Sequence, residues 1–259
     1  MNTAFIEDVD LFSGFTMSEQ LGTVHDLKET EVERDLGIMI NNKLRWSDQI
    51  SHAKSKAYSI LGTLKRTFVC WNSYSFRILY TTYVRPHLEY CSSAWNPCTE
   101  TDINSLESVQ RNATKLVPQL RSLHYEQRLA ALGLTTLEER RKRGDLIQYF
   151  KIIKGYNIVN FVNPSMPTPS LSSQGPASNI RGAKHRLVKN FTRDCTPREN
   201  FLSKRIVSAW NELPEVVINS KTINAFKNKL DAFLKSKTNN IDSTIAELRY
   251  GYCFVTTRW

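Results

Sequence analysis

The basic run Arg140, Arg141, Lys142 and Arg143 is the first place in this chain where residue type and spacing invite a chemical reading. Four consecutive helical residues sweep about 300°, so these side chains cannot share one face. On a helical wheel Leu146, Tyr149, Phe150 and Ile153 form the apolar stripe. Glu139 and Arg143 fall on that stripe, four residues apart in the acid-first order that favours an ion pair. Arg143 is therefore expected in a structural pair. Arg140, Arg141, Gln148 and Lys151 gather on the opposite side, with Gly144 among them giving the low relief that lets a sugar-phosphate backbone approach. This face is the leading candidate for phosphate contact, and a merely solvated basic face is its alternative.

A second concentration of charge comprises Arg181, Lys184, Arg186, Lys189, Arg193, Arg198, Lys204 and Arg205 against Asp194 and Glu199. Mobile basic segments of this kind often meet nucleic acid, and Lys184, Arg186 and Lys189 are its candidate contacts. A polar strip of His52, Lys56, Ser59, Thr63 and Arg66 is a weaker candidate, for which solvation is the simpler reading. Phe76, Tyr80 and Tyr83 share a helical face at spacings of four and three. They suit either a base-stacking platform or a core face, and core packing explains the spacing more economically.

Catalytic signatures are missing from the sequence. It contains no G-x-x-x-x-G-K phosphate loop, G-x-G-x-x-G fingerprint, G-x-S-x-G elbow or H-E-x-x-H pair. Cys91 and Cys98 are too widely spaced for a structural zinc site and read as ordinary thiols. The histidines are scattered, and His124 with Glu126 would make an acid–base pair only through tertiary contacts. No catalytic residue, metal ligand or cofactor is expected.

Composition supports a polyanionic partner. Thirty-five Lys and Arg against twenty-five Asp and Glu leave a formal charge of +10. Residues 1–36 are acidic, at a net −7, so the remainder is more basic than the average suggests. Five cysteines form an odd, irregular set, which favours a reducing, intracellular compartment over secretion. The acidic start has neither the basic nor the apolar region of a signal peptide, and no stretch reaches the ~20 apolar residues of a membrane span.

The elements that would position these residues are mostly helical. Short extended runs are expected at Phe12–Met17 and Leu36–Ile40, with the acidic stretch between them as loop. Ile50, Ala53, Ala57, Ile60, Leu61, Leu64 and Phe68 lie within an arc of about 100°, an amphipathic helix with Ser47 as its cap. A helix over Tyr74–Val84 should kink or stop at Pro86. Another should run from a cap at Asp102 to Pro118, followed by Tyr125–Leu132 and Leu137–Lys154. Residues 161–183, rich in Pro and Ser, read as a linker, with an extended run His185–Phe191 and helices at Glu199–Leu213 and Ile223–Ser236 beyond it. The expected fold is mainly α: a helical domain over 46–160, a short β element within 1–45, a second small helical unit over 184–236, and a tail, 237–259, without a readable pattern.

Five phrases carry a resemblance. LGIMINNKLRWSDQI (Leu36–Ile50), LYTTYVRPHLEYCSSAWNP (Leu79–Pro97), INSLESVQRNATKLV (Ile103–Val117), YEQRLAALGLTTLEERRKRGDLIQYFKIIKG (Tyr125–Gly155) and FLSKRIVSAWNELPEVVINSKTINAFKNKLD (Phe201–Asp231) resemble, in order, the region downstream of the polymerase site in non-LTR retrotransposon (LINE) reverse transcriptases of the jockey and chicken-repeat type. The resemblance implies a palm edge over 1–45, a thumb-like helical bundle, and RNA or RNA–DNA duplex held through backbone charge. It also implies that the catalytic motif, an aromatic residue, a variable one and two aspartates that hold the metal ions, lies upstream. No Asp-Asp dipeptide occurs in this sequence, so no catalytic residue carries over. Arg85, Arg111, Lys115, Arg140, Arg141 and Arg143 match the family phrases as folding or nucleic-acid contacts. The expected function is that of a non-catalytic reverse-transcriptase fragment that contacts nucleic acid. The alternative is a helical module that binds a protein partner.

Overall fold

The computed structural model describes residues 16–18, 24–26, 30–159, 186–188 and 199–251, with side chains described over 30–159, 186–188 and 199–237. The chain is mainly α with β structure near its N-terminus, as expected. Four short strands, β1 (Thr16–Ser18), β2 (Val24–Asp26), β3 (Val32–Asp35) and β4 (Ile38–Asn41), pair as two antiparallel hairpins. The acidic stretch read as loop thus contains β2 and β3. In β3–β4 the register pairs Val32 with Asn41 and Asp35 with Ile38, leaving Leu36 and Gly37 as a two-residue turn. Both have positive φ, 46° and 85°, the combination that matches the right-handed twist of a hairpin. The Tyr90 hydroxyl donates to the Leu36 carbonyl at 3.0 Å and steadies this turn.

Helix α1 (Ser47–Thr67) buries Ile50, Ala53, Ala57 and Leu61 of the predicted stripe and partly buries Ile60 and Leu64, whereas Phe68 lies past the helix end and is exposed. Ser47 is its first residue and not its cap; Trp46 holds that position without a side-chain bond. Asn72 caps α2 (Ser73–Leu79) in a reciprocal box with Ser75. The helix does not end before Pro86. It passes through a π turn (Tyr80–Val84) into α3 (Arg85–Glu89), and Arg85 N–H reaches back to Tyr80 O. A wider turn tolerates a residue that cannot donate, because Pro86 then costs one bond without forcing a break. Val84 thereby takes the buried position and Tyr83 turns outward, so Phe76 and Tyr80 are core, stacked at 5.5 Å, and Tyr83 is not.

Helix α4 (Glu100–Ala113) is capped by Thr99, whose hydroxyl accepts from Asp102 N at 3.1 Å, so Asp102 lies inside the first turn. A 3-10 turn (Thr114–Leu116) continues it. Helices α5 (Tyr125–Leu132) and α6 (Leu137–Ile153) fall where the sequence places them. After residues 186–188 come α7 (Leu202–Asn211), α8 (Glu215–Ile218) and α9 (Ile223–Gly251), the last continuing well beyond the expected end at Ser236. The Pro/Ser segment 161–183 lies outside the described residues.

Two apolar clusters organise the described residues. The first collects Ile38, α1, the α2–α3 run, Trp95, α4 and α5, and ends on Leu137. The second packs Leu146, Ile147, Tyr149 and Phe150 against Leu187, Ile206, Trp210, Phe226 and Leu230. Helix α6 therefore serves both: its first turn closes one core and its C-terminal half builds the other. The division between clusters falls inside α6 and does not coincide with the segment 161–183.

Candidate nucleic-acid interface

The four residues of the α6 polar face do not form an exposed basic surface. Arg140 makes a two-pronged bond to Glu89, with Nη2 to Oε2 at 2.9 Å, and the carboxylate holds the guanidinium pKa up. Arg85 stands 3.7 Å from the same carboxylate. Arg141 is 3% exposed, and its two terminal nitrogens have no protein partner. Burial pushes its pKa down, opposed by the charges of Glu107, Glu138, Asp145 and Glu89. Gln148 and Lys151 are half-buried. A wheel gives angles but not neighbours, and α6 has neighbours on more than one side. Arg140 and Arg141 on its polar side therefore lie against protein, where the sequence pattern alone suggests phosphate or solvent.

Arg143 is a structural pair member, but with a different partner. Glu139 is occupied at the helix start, where its carboxylate accepts from Thr136 N–H at 3.0 Å and its own N–H donates to Thr136 Oγ1 at 3.2 Å. Arg143 instead holds Asp231 on α9 at 2.5 and 2.9 Å. That side-chain bond depresses the Asp231 carboxyl pKa.

The concentration of charge after residue 183 is also partly internal. Arg205 donates to both Asp145 oxygens at 2.9 and 2.8 Å, to Asn200 O at 2.5 Å and to Ser93 O at 2.7 Å. It joins α7 to α6 and to the loop before α4. Lys204 is buried and lies 3.9 Å from Glu199. Arg186 is exposed, beside a Leu187 whose backbone is clamped from both sides by the Asn211 amide. Lys184 and Lys189 lie outside the described residues.

Among the described residues the polar strip of α1, the weaker basic candidate in the sequence, stays open. His52, Lys56, Ser59, Thr63, Lys65 and Arg66 are exposed on α1, and Arg77 is exposed on α2. No Asp or Glu occurs between Asp48 and Glu89, so α1 and α2 offer a positive surface with no carboxylate of their own beyond the first turn of α1. A second acid-free stretch, Ser108–Tyr125, carries exposed Arg111, Lys115 and Arg121. The two are packed together: Lys54 donates to Ser105 Oγ at 3.1 Å and Asn112 Nδ2 to Tyr58 Oη at 2.8 Å. The missed signal was the absence of acids over a long span, which a per-helix wheel does not register.

A buried polar network inside the first cluster is the other concentration of chemical groups. Glu107 accepts from the Tyr125 hydroxyl and from Leu137 N–H at 3.0 Å, placing a carboxylate at the start of α6. Gln110 accepts from Tyr80 Oη at 2.8 Å and donates to Tyr125 Oη and Thr135 O at 2.9 and 3.0 Å. Arg128, also buried, donates to Thr114 Oγ1, Leu123 O and Arg111 O, closing the C-terminal end of α4. Burial is the main force holding both tyrosine pKa values far above the ordinary phenolic value. Both phenols are hydrogen-bonded within the network, which satisfies the polar groups it buries. His124 and Glu126 are both exposed at the start of α5. Among the described residues no group of three or more His, Cys, Asp or Glu is arranged to hold a metal ion.

No family model, curated protein or solved structure matches the chain. Among the described residues no helix is long and apolar enough to cross a membrane.

Proposed function

We propose that this chain is a non-catalytic part of a non-LTR retrotransposon reverse transcriptase that contacts the phosphate backbone of RNA or RNA–DNA duplex. The observation that carries the reading is the acid-free, cationic surface of α1, α2 and the end of α4. Phosphate binding by such a surface needs no base-specific group, because the affinity comes from displaced counterions. The five phrases of family-like sequence support the same assignment: α4 lies mostly within one of them, the α2–α3 run from Leu79 onward within another, and α1 enters a third with its first four residues.

Two measurements test it. Binding to an RNA–DNA duplex should weaken steeply between about 50 and 200 mM salt, and Lys56→Glu with Arg66→Glu should flatten that slope. Flat salt dependence, or an unaltered slope in the double variant, would sink the phosphate reading. The purified chain should not extend a primed RNA template with Mg²⁺ and deoxynucleotides, and metal-dependent extension would overturn the non-catalytic assignment.

A further inference from the structure

The α2–α3 run is amphipathic in the wrong sense for a surface helix. Phe76, Tyr80, Val84 and Leu88 recur every four residues and fill the first core. Opposite them Tyr74, Ile78, Thr82 and Pro86 recur at the same spacing, and all four are exposed, where charged residues would ordinarily lie. Tyr74 is 77% and Ile78 45% exposed. The π turn adds Tyr83 at 53%, and the turn that feeds α2 adds Phe68 and Val69, the latter 91% exposed. Isolated apolar residues at a surface mean little, but a run of them marks a binding face.

The charges around this face select its occupant. Lys65 and Arg66 end α1 just before the turn, and Arg77 lies on α2 itself. Edge contacts from Phe68 to Trp71 and from Trp71 to Phe76, both at 6.2 Å, fold the turn 68–72 against the start of α2. The cationic end of α1 is thus joined to the first turn of α2, which carries Tyr74, by one short folded segment, and Arg77 lies between Tyr74 and Ile78, with no Asp or Glu in the sequence between Asp48 and Glu89 to repel an anion. Exposed aromatic planes beside cations are the two components of a site for unpaired nucleotides: bases stack on the rings and phosphates meet the Lys and Arg heads. A duplex does not fit this description, since its base faces are already stacked on one another.

We infer that the face formed by Tyr74, Ile78 and Tyr83, with Lys65, Arg66 and Arg77 beside it, binds single-stranded nucleic acid by base stacking. The inference rests on the nucleic-acid reading above and adds an unpaired segment to the duplex backbone contact.

The test uses the full chain with two labelled probes, a single-stranded RNA of about 16 nucleotides and an RNA–DNA duplex of the same length, at about 50 mM salt. Tyr74→Ala should weaken the single strand by about fivefold or more, the lower end for one lost base–aromatic stack. Duplex affinity should be unchanged, and Tyr74→Phe should restore the single strand. A 2-aminopurine placed in the strand should be quenched by the wild type and less so by Tyr74→Ala. Tyr74 is a surface residue, so an unaltered thermal melt confirms that the variant is folded.

An Ala variant that binds the single strand as well as the wild type overturns the stacking site while leaving the phosphate contact standing. So does an equal loss on both probes. Sedimentation that finds a wild-type dimer dissociated by Tyr74→Ala, with RNA affinity unaltered, assigns the face to a second copy and overturns the proposal. Failure to bind either probe removes the nucleic-acid reading as a whole.

Discussion

Arg140, Arg143 and Arg205 each grip a carboxylate on another element, Glu89, Asp231 and Asp145 respectively. Their planar, two-pronged geometry suits this work better than lysine's point charge. Arg205 and Asp145 are mostly buried, so removing either alone would leave a charge without its partner. The Arg143–Asp231 pair is more exposed and therefore weaker. Its pH dependence has a definite sign. The Asp231 pKa is lowered below its reference value of 3.8 in the folded chain. Its contribution is therefore complete above that value and disappears as pH falls through the depressed folded pKa. Asp231→Asn should lower the melting temperature at about pH 7, and the gap to the wild type should narrow as the pH falls below the reference value of 3.8. A melting-temperature gap that persists undiminished in acid would show that the pair acts through packing and not through charge.

At the scale of elements, glycines separate conformational demand from mere presence. Gly133 ends α5 with φ +60°, and a Cβ there would stand 3.2 Å from Arg77 Nη1. Gly144 lies inside α6 with nothing within 4 Å of a built Cβ. Gly133→Ala should destabilise by about 1 kcal/mol or more, and Gly144→Ala should stabilise by about 0.5–1 kcal/mol. Urea unfolding of both variants checks the pair, and the same sign at both sites would refute the assignment. The contrast also shows where local rules were enough. Boundaries of α5 and α6 were legible because the Thr136 box and the left-handed Gly133 are local devices. Which of a kink or a stop the α2–α3 run would take at Pro86 was not legible. It depends on the core contacts of Tyr80, Val84 and Leu88, which hold the helix together across the proline.

At the scale of the molecule, α6 is, among the described residues, the one element whose side chains enter both clusters. The second cluster leans on few large rings: Phe150 stacks on Phe226 at 4.1 Å, and Trp210 lies 5.0 Å from Tyr149. Burial in this cluster pushes the Tyr149 hydroxyl up to about 12. Phe150→Ala should cost about 3–5 kcal/mol, because a fully buried ring leaves a cavity. Hydrogen exchange should then show amides of α7 and α9 losing more protection than those of α1 and α4. Uniform loss across all four helices would mean that the two clusters open only together.

By itself the sequence determined the helical class, the buried stripe of α1 from Ile50 to Leu61, the limits of α5 and α6, and the excess of positive charge. Each depends on residue type and on spacing along one helix, quantities that a linear string carries in full. Which charges stay at the surface was decided only by tertiary structure. Arg140, Arg141 and Lys56 look alike on a wheel, yet the first pairs with Glu89, the second is buried and the third is exposed. The difference comes from elements distant in sequence, because desolvation and ion pairing depend on what a folded neighbour places within a few ångströms.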